Sequence, residues 1–385
     1  MFLSHLSLAN FRNYRQLDLR LPAPVVLFQG DNGQGKTNLL EAVYFLATTR
    51  SLRAGSDREL IDFTAPGEPV PFARVEGRVR KSRGELHVEI VIRADRPERH
   101  FPEADGAPHV ELSKRIKVNG VPRRALDLIG QVNVVTFTPQ DLDLVAGSPS
   151  IRRRYLDSVG CQVDHRYCRT LAQYNRVLAQ RNHLLKQIRD SRQPPETLEY
   201  WSEELVKSGA YILYRREATV EALNGRVDGY FHRLTASGKQ LRISYHSSVK
   251  DALSATGGGE DREKGEDRSV KGEGVASEPG TGDTPRSSVP SPQSSVDAAV
   301  EGYAELFRQA LSRYRRRELL QGASLLGPHR DDLSFLAAGI DMNTYGSRGE
   351  QRAVALALKL SEVEFMHDVT GEQPLLLLDD VMSEL

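Results

Sequence analysis

Through the first third of the chain, apolar and polar residues alternate. Leu17, Leu19 and Leu21 share one side, and Leu86, Val88, Ile90 and Ile92 repeat the pattern, with the run 75–79 facing them across a turn at Ser82-Arg83-Gly84. A period of two predicts strands with one buried face. Ile116-Lys117-Val118-Asn119-Gly120-Val121 carries the Asn-Gly pair of a tight hairpin. Two uninterrupted apolar runs, Val25-Val26-Leu27-Phe28 and 132–137, predict buried strands.

After residue 150 the period changes. Tyr167, Leu171, Tyr174, Leu178, Leu185 and Ile188 step by threes and fours. Ser191-Arg192-Gln193-Pro194-Pro195 breaks the run, and Leu198, Trp201, Leu205, Ile212, Leu223, Val227 and Tyr230 resume it. Two antiparallel helices joined by a short turn would bury these stripes on each other, each arm at most about 60 Å long. Residues 250–297 are rich in Gly, Ser, Pro, Glu and Asp, with almost no apolar residue between Leu253 and Val289. Such a segment cannot offset the entropy of ordering, so disorder is expected there. Val300, Phe307, Leu311 and Tyr314 then predict a helix ending in Arg315-Arg316-Arg317. Another helix opens at Ser347, and a buried strand Leu375-Leu376-Leu377-Leu378 follows.

Composition narrows the class without naming a function. A chain of 385 residues can hold two lobes with separate cores. Lysine and arginine match aspartate and glutamate at 52 each, so no global field points to nucleic acid or a membrane. Residues 250–297 hold ten acidic and six basic groups, which leaves the remainder near +4. Cys161 and Cys168 fit no zinc or CxxC spacing and are expected to be ordinary thiols. No apolar stretch is long enough to span a bilayer, and the N-terminus runs into a strand and not a signal peptide. A cytoplasmic protein with no membrane partner is expected.

The candidate chemistry begins between the predicted strand 25–28 and the helical run Leu39, Leu40, Val43 and Leu46. There Gly30-Asp31-Asn32-Gly33-Gln34-Gly35-Lys36-Thr37 spells a phosphate-binding loop. Glycines at a strand-to-helix turn let backbone N–H groups and a helix N-terminus face a phosphate chain. Lys36 would reach the β- and γ-phosphates, and the Thr37 hydroxyl would take Mg²⁺. At the far end, Asp379 and Asp380 follow four leucines, as carboxylates presented by the C-terminal end of a central strand. Asp379 would hold the Mg²⁺ through water, and Asp380 would orient or deprotonate an attacking water.

Tyr345-Gly346-Ser347-Arg348-Gly349-Glu350-Gln351-Arg352 is similar to the signature motif of ABC-type ATPases. Ser347 with Glu350 also forms an ordinary capping box, so the segment has a purely structural alternative. The order, signature before Asp379-Asp380, is that of ABC-type heads.

Taken together, the chain resembles the RecF family, relatives of SMC heads. The pieces are Leu8-Ala9-Asn10-Phe11-Arg12-Asn13-Tyr14, the glycine loop, Phe137-Thr138-Pro139-Gln140-Asp141-Leu142, Gly147-Ser148-Pro149 with Arg152-Arg153-Arg154-Tyr155-Leu156-Asp157, Gly327-Pro328-His329-Arg330-Asp331-Asp332, the signature, and 375–385. The resemblance implies an α/β P-loop ABC-type ATPase head with an inserted, coiled-coil-like helical hairpin lobe. Its expected bounds are 1–145 with 298–385 for the head, 146–249 for the lobe and 250–297 for a disordered insertion. Family members continue past Ser383-Glu384-Leu385, so the head is expected to be C-terminally incomplete.

The resemblance also implies an ATP-gated homodimer that binds single-stranded and gapped DNA and helps load a recombinase with RecO and RecR. ATP would act mainly as a dimerisation switch, with at most weak DNA-dependent hydrolysis. Gln140 takes the place of the loop that senses Mg²⁺ and nucleotide. Ser347, with Gly349 and Glu350, would contact the γ-phosphate held by the other subunit. Arg152, Arg153, Arg154, Arg315, Arg316 and Arg317 are the candidate phosphate contacts on DNA. A transporter ATPase subunit or another P-loop NTPase is the alternative. A transporter subunit would lack the helical hairpin, and a GTPase would carry an NKxD-type motif, which is absent.

Overall fold

A computed structural model describes residues 1–62, 70–95, 111–235, 238–254 and 292–380. Most of the expected disordered insertion and the last five residues lie outside the described set.

β1 (Phe2–Phe11) and β2 (Tyr14–Arg20) form a hairpin ahead of α1 (Lys36–Thr48). β3 (Phe72–Lys81), β4 (Gly84–Asp95), β5 (Glu111–Val118) and β6 (Val121–Arg123) follow. These strands make one antiparallel sheet in the order β2-β1-β3-β4-β5-β6. The predicted alternation is met in register: Val88 faces Gly77, Lys81 faces Gly84, and Val118 faces Val121 across the Asn119-Gly120 turn. Both turn residues have positive φ, 49° and 78°, the conformation a two-residue hairpin demands. The inner face, Leu6, Leu8, Val75, Val88 and Ile90, packs with Ala42, Phe45 and Leu46 of α1. A side chain at Gly77 would place its Cβ 2.7 Å from the Leu46 side chain, so only glycine lets the helix lie this close.

The chain continues through α2 (Ala125–Leu128), β7 (Val134–Phe137), α3 (Leu142–Ala146) and α4 (Pro149–Val163). Then come α5 (His165–Arg189), α6 (Leu198–Thr235), β8 (Leu241–His246), α7 (Ser248–Ser254) and α8 (Pro292–Gln321). β9 (Asp332–Ala337), β10 (Ile340–Asp341), α9 (Met342–Tyr345), α10 (Arg348–Thr370) and β11 (Leu375–Leu378) complete it. β10, β9 and β8 form a small sheet, and β11 pairs in parallel with β7.

Two compact units result. The first holds the described parts of 1–176, 215–246 and 331–385, and the second those of 177–214 and 247–330. This division differs from the expected boundaries at 145, 249 and 297, because α5 and α6 each contribute to both units. A second core in the first unit joins Tyr155, Leu156 and Val159 of α4 with Val354, Leu358 and Phe365 of α10. In the second unit Leu185, Ile188 and Leu198 pack together, and the buried Arg181 guanidinium meets Glu318 at 2.6 Å and Ser324 at 2.6 Å.

Three expectations need correction. Residues 25–28 form no strand: Val25 and Leu27 are each 87% exposed. An apolar run becomes a strand only where a neighbour takes its backbone hydrogen bonds, and among the described residues none lies beside it. β11 is buried on one face only, with Leu376 46% and Leu378 59% exposed, because the core covers the side of Leu375 and Leu377 and not the other. Finally, both margins of the expected insertion are helical, at α7 and in the first residues of α8. Val249 and Ala252 give α7 a buried side, and α8 takes up Lys250 over Tyr303 at 5.0 Å.

Candidate functional site

The glycine loop meets α1 at Gly35, whose φ of 99° is left-handed and suited to glycine; Gly33, at 82°, is similar. A Cβ on Gly35 would lie 2.7 Å from the Asn13 amide and 2.9 Å from the Tyr14 hydroxyl, whereas one on Gly33 would meet nothing within 4 Å. The loop is therefore closed on the side of the β1–β2 turn and open at Gly33. Asn38 donates to Asn13 Oδ1 at 2.8 Å, which ties that turn to the start of α1.

The turn is held in a demanding conformation. Asn10 and Arg12 both have positive φ, 50° and 54°. Arg12 grips Glu41 of α1 with two bonds of 2.8 Å and donates to the Glu59 carbonyl at 3.0 Å. Glu41 is buried. Burial works to raise its pKa, but hydrogen bonds from Arg12 and Ser51 win, so it stays an anion. This buried pair fixes Asn13 and Tyr14 against the loop.

Lys36 folds back into the loop, with Nζ donating to the carbonyls of Gly30 at 2.5 Å and Asp31 at 2.8 Å. Asp31, Asn32, Gly33 and Gln34 are exposed. Next to Lys36, Thr37 Oγ1 donates to Asp379 Oδ1 at 3.1 Å, across 342 residues of sequence. The parallel pairing explains how they meet. Leu378 is in register with Phe137, and Asp379 N–H donates to the Phe137 carbonyl at 2.9 Å. Asp379, Asp380 and Gln140 thus all lie just past the C-terminal ends of paired parallel strands, where α/β sheets gather ligand-binding groups. Gln140 is exposed in the short turn Pro139–Asp141. Asp380 is exposed with φ 51°, a conformation aspartate tolerates better than most residues.

Among the described residues no cluster of three histidine, cysteine or acidic groups could hold a metal. A hydroxyl and a carboxylate oxygen at 3.1 Å are nevertheless hard donors of the kind Mg²⁺ takes when phosphate and water supply the rest. The residues present fit that ion.

The signature is a formed cap. Ser347 Oγ accepts from the Glu350 N–H at 3.3 Å, and Glu350 accepts from the Ser347 N–H at 3.0 Å. Lys239 adds a bond of 2.6 Å to Glu350, and its hydrogen bond, with those from Ser347, lowers the Glu350 pKa to about 2. Gly349 sits in the first turn of α10 with open space where a side chain would be. The described side-chain hydrogen bonds of Ser347 and Glu350 run to each other and to Lys239 and do not join them to the glycine loop.

Of the arginines expected at DNA, Arg152 is corrected. It is 5% exposed, bound to Asp332 at 2.7 and 2.8 Å and to the Gly147 carbonyl at 2.6 Å, so it is a buried brace and not a phosphate contact. Arg153 is half-buried and donates to the Asp331 carbonyl at 2.8 Å, while Arg154 is exposed. Arg315, Arg316 and Arg317 are exposed on α8 in the second unit. Arg315 reaches Glu199 at 3.7 Å, and Arg317 lies 5.3 Å from the Tyr314 ring. Asn13, Tyr14 and Asn38 were missed as site residues. The first two stand in the Leu8–Tyr14 motif, but nothing in spacing brings that motif to Gly35.

The comparisons with known proteins agree along the whole chain. The family profile described as RecF/RecN/SMC N terminal domain matches residues 2–385. The chain is 40% identical, over all of its length and 87% of the relative's, to the DNA replication and repair protein RecF of Chloroflexus aurantiacus. It is 41% identical, with the same coverage, to that of Herpetosiphon aurantiacus. A solved structure described as the recombination mediator protein RecF-ATPrS in the RecFOR pathway superposes with a TM-score of 0.77. The identity is 30%, and the match covers all of this chain and 86% of that one. The RecF-ATP form matches with a TM-score of 0.76 at 30% identity, with the same coverage. Among the described residues no helix is long and apolar enough to cross a membrane.

Proposed function

The chain belongs to the RecF family, and on that premise we propose that it is an ATP-binding, ATP-gated DNA-binding protein of DNA replication and recombinational repair. The α/β fold is that of RecF, and relatives carry that role in their names. The observation that carries the proposal in this chain is the 3.1 Å contact between Thr37 and Asp379, which joins the two halves of a nucleotide site from opposite ends of the sequence.

Each residue has a task set by its position. The N–H groups at Gly33–Thr37 cradle phosphate oxygens at the start of α1. Lys36 exchanges its loop carbonyls for the β- and γ-phosphates. Thr37 directly and Asp379 through water would hold Mg²⁺, with Gln140 at the same strand end, and the ion would supply charge that offsets the phosphates. Asp380 orients water as a general base, and hydrolysis is weak. Ser347, with Gly349 and Glu350, presents the N-terminus of α10 as a second anion site. It completes the nucleotide site of a second copy, so ATP drives a homodimer. That dimer binds single-stranded and gapped DNA in the cytoplasm and acts with RecO- and RecR-like mediators, as the RecFOR setting of the matched structure supports.

Fluorescent-nucleotide titration and sedimentation test this. Among the described residues the Lys36 ammonium donates to two loop carbonyls, so Lys36→Ala should leave the fold intact. It should weaken ATP binding about 10- to 100-fold, the worth of a charge-assisted hydrogen bond or two. Wild type with ATP and Mg²⁺ should sediment as a dimer and Ser347→Arg as a monomer. Equal ATP affinity in Lys36→Ala overturns the site.

A further inference from the structure

The cap at the start of α10 already holds an anion of its own. Glu350 Oε2 accepts from the Ser347 N–H at 3.0 Å and from the Ser347 hydroxyl at 2.9 Å, so both donors of that serine point at a carboxylate of the same helix. A hydroxyl has one proton to give. In this arrangement Ser347 has no donor left for a phosphate, and a phosphate approaching the turn meets a like charge. A capping box accounts for the contacts, but glutamine would cap equally well and bring no charge to a turn that receives an anion.

The carboxylate has a second partner on its other oxygen. Lys239, two residues before β8, donates from Nζ to Glu350 Oε1 at 2.6 Å, so Oε2 faces the serine and Oε1 the lysine. The backbone just past Lys239 is anchored. The Gln240 carbonyl accepts from the Ala338 N–H at 3.1 Å, and the Leu241 N–H donates to Asp228 at 2.8 Å. The ammonium therefore reaches Glu350 from a fixed point. The Lys239 and Glu350 side chains are 41% and 30% exposed, so the carboxylate can leave the serine without being stranded in the core. Arg348 and Arg352 flank it at exposed positions, but Lys239 is the cation that the described side-chain hydrogen bonds join to it.

We propose that Glu350 is a built-in competitor for Ser347, and that Lys239 is the positioning residue that draws it aside and frees the Ser347 N–H and hydroxyl for the terminal phosphate of a nucleoside triphosphate held by a second copy. This rests on the nucleotide site and homodimer proposed above. The exchange is one of hydrogen bonds: Ser347 releases Glu350 Oε2 and takes a phosphate oxygen, while the carboxylate keeps Lys239. Lys239 touches no phosphate. Its charge offsets that of Glu350, so the incoming phosphate meets a neutral pair in place of a bare carboxylate at the helix N-terminus.

The test is sedimentation with ATP and Mg²⁺ of wild type, Lys239→Met, Lys239→Arg, Glu350→Gln and the Lys239→Met/Glu350→Gln double variant. Fluorescent-nucleotide titration, at protein concentrations too dilute for dimer, accompanies it. Glu350→Gln keeps a capping oxygen and loses the charge, so it should tighten the dimer about fivefold, the worth of one solvated like charge at contact distance. Lys239→Met leaves the carboxylate on the serine and should weaken the dimer about tenfold, the worth of one charge-assisted hydrogen bond. Monomer ATP affinity in Lys239→Met should stay within about twofold, because the glycine loop carries it, which separates the effect from a loss of folded protein. Lys239→Arg should restore most of the dimer. In the Glu350→Gln background Lys239→Met should change little, since the carboxylate it manages is gone. A lysine that merely braced the fold would weaken the dimer in either background, and Glu350→Gln would weaken it too. Glu350→Gln carries the test by itself if Lys239→Met fails to fold. A wild type that stays monomeric with ATP and Mg²⁺ sinks the proposed homodimer and this inference with it. A dimeric wild type with no tightening in Glu350→Gln, or with the same loss from Lys239→Met in both backgrounds, overturns the competition at Ser347 alone.

Discussion

Replacing Arg152 with alanine should damage the fold and not merely a DNA surface. The guanidinium makes two charge-assisted bonds to Asp332, at 2.7 and 2.8 Å, and one to the Gly147 carbonyl at 2.6 Å, with its side chain only 6% exposed. Bonds to charged groups contribute about 1.5–3 kcal/mol each, and breaking a buried pair costs about 3–5 kcal/mol because the surviving charge is left alone. Asp332 is 30% exposed, so water reaches it after truncation, which places the loss near the lower end of that range. About 3 kcal/mol corresponds to a fall in Tm of about 6–12 °C in a unit of this size.

Thermal and urea unfolding followed by circular dichroism would read this directly. Arg154→Ala, two residues further along and exposed, is the control and should change stability by less than about 0.5 kcal/mol. Removing the stranded charge by Asp332→Asn in the Arg152→Ala background should recover about 1–2 kcal/mol. If Arg152→Ala melts within two or three degrees of wild type (less than about 1 kcal/mol), the bidentate brace is not what holds α4 against β9.

Two further outcomes follow from the same geometry. Glu350 has its pKa lowered from 4.5 to about 2, first by Lys239 and then by Ser347, so its stabilisation is present above pH 4.5 and is lost as pH falls toward 2. Lys239→Met should therefore be less stable than wild type at neutral pH, by an amount that shrinks across that window in a series of melting curves; a deficit that stays constant with pH would show that Lys239 acts through something other than the Glu350 charge. Binding to duplex DNA should lose about 0.9 from its log–log salt slope for each phosphate contact removed. Arg154→Gln and Arg316→Gln, both at exposed positions, should flatten that slope and weaken different sequences about equally, measured by fluorescence anisotropy with ATP; an unchanged slope would mean that these arginines are only a solvated face.

What could be read ahead of the structure was local. Strand alternation, the Asn119-Gly120 turn and the Ser347–Glu350 cap were each met where their patterns placed them, whereas the glycine loop leads into α1 without the strand expected before it. The Thr37–Asp379 contact spans 342 residues, yet the chemistry of both motifs foretold it. By contrast, Val25–Phe28 depends on which strand lies alongside and Leu376 on what covers its face of the sheet, and composition carries no information about either. Asn13 and Tyr14 at Gly35 depend on how the β1–β2 turn is folded, which the Arg12–Glu41 pair decides.

Arg152 shows where the limit was one of method and not of information. Three successive arginines looked like one basic patch, but consecutive helical residues are about 100° apart and cannot share a face. On α4, Arg152 stands three and four residues before Tyr155 and Leu156 and seven before Val159, all buried, so the period that marked the apolar stripe runs through the arginine. A cation on an apolar stripe needs an anion inside the fold, and Asp332 is that partner. The same logic picks out Lys359, which lies four residues after Ala355 and seven before Met366, both buried on α10. Charged residues in phase with a buried stripe are braces, and those out of phase, as Arg154 is, are where an anionic partner should be sought.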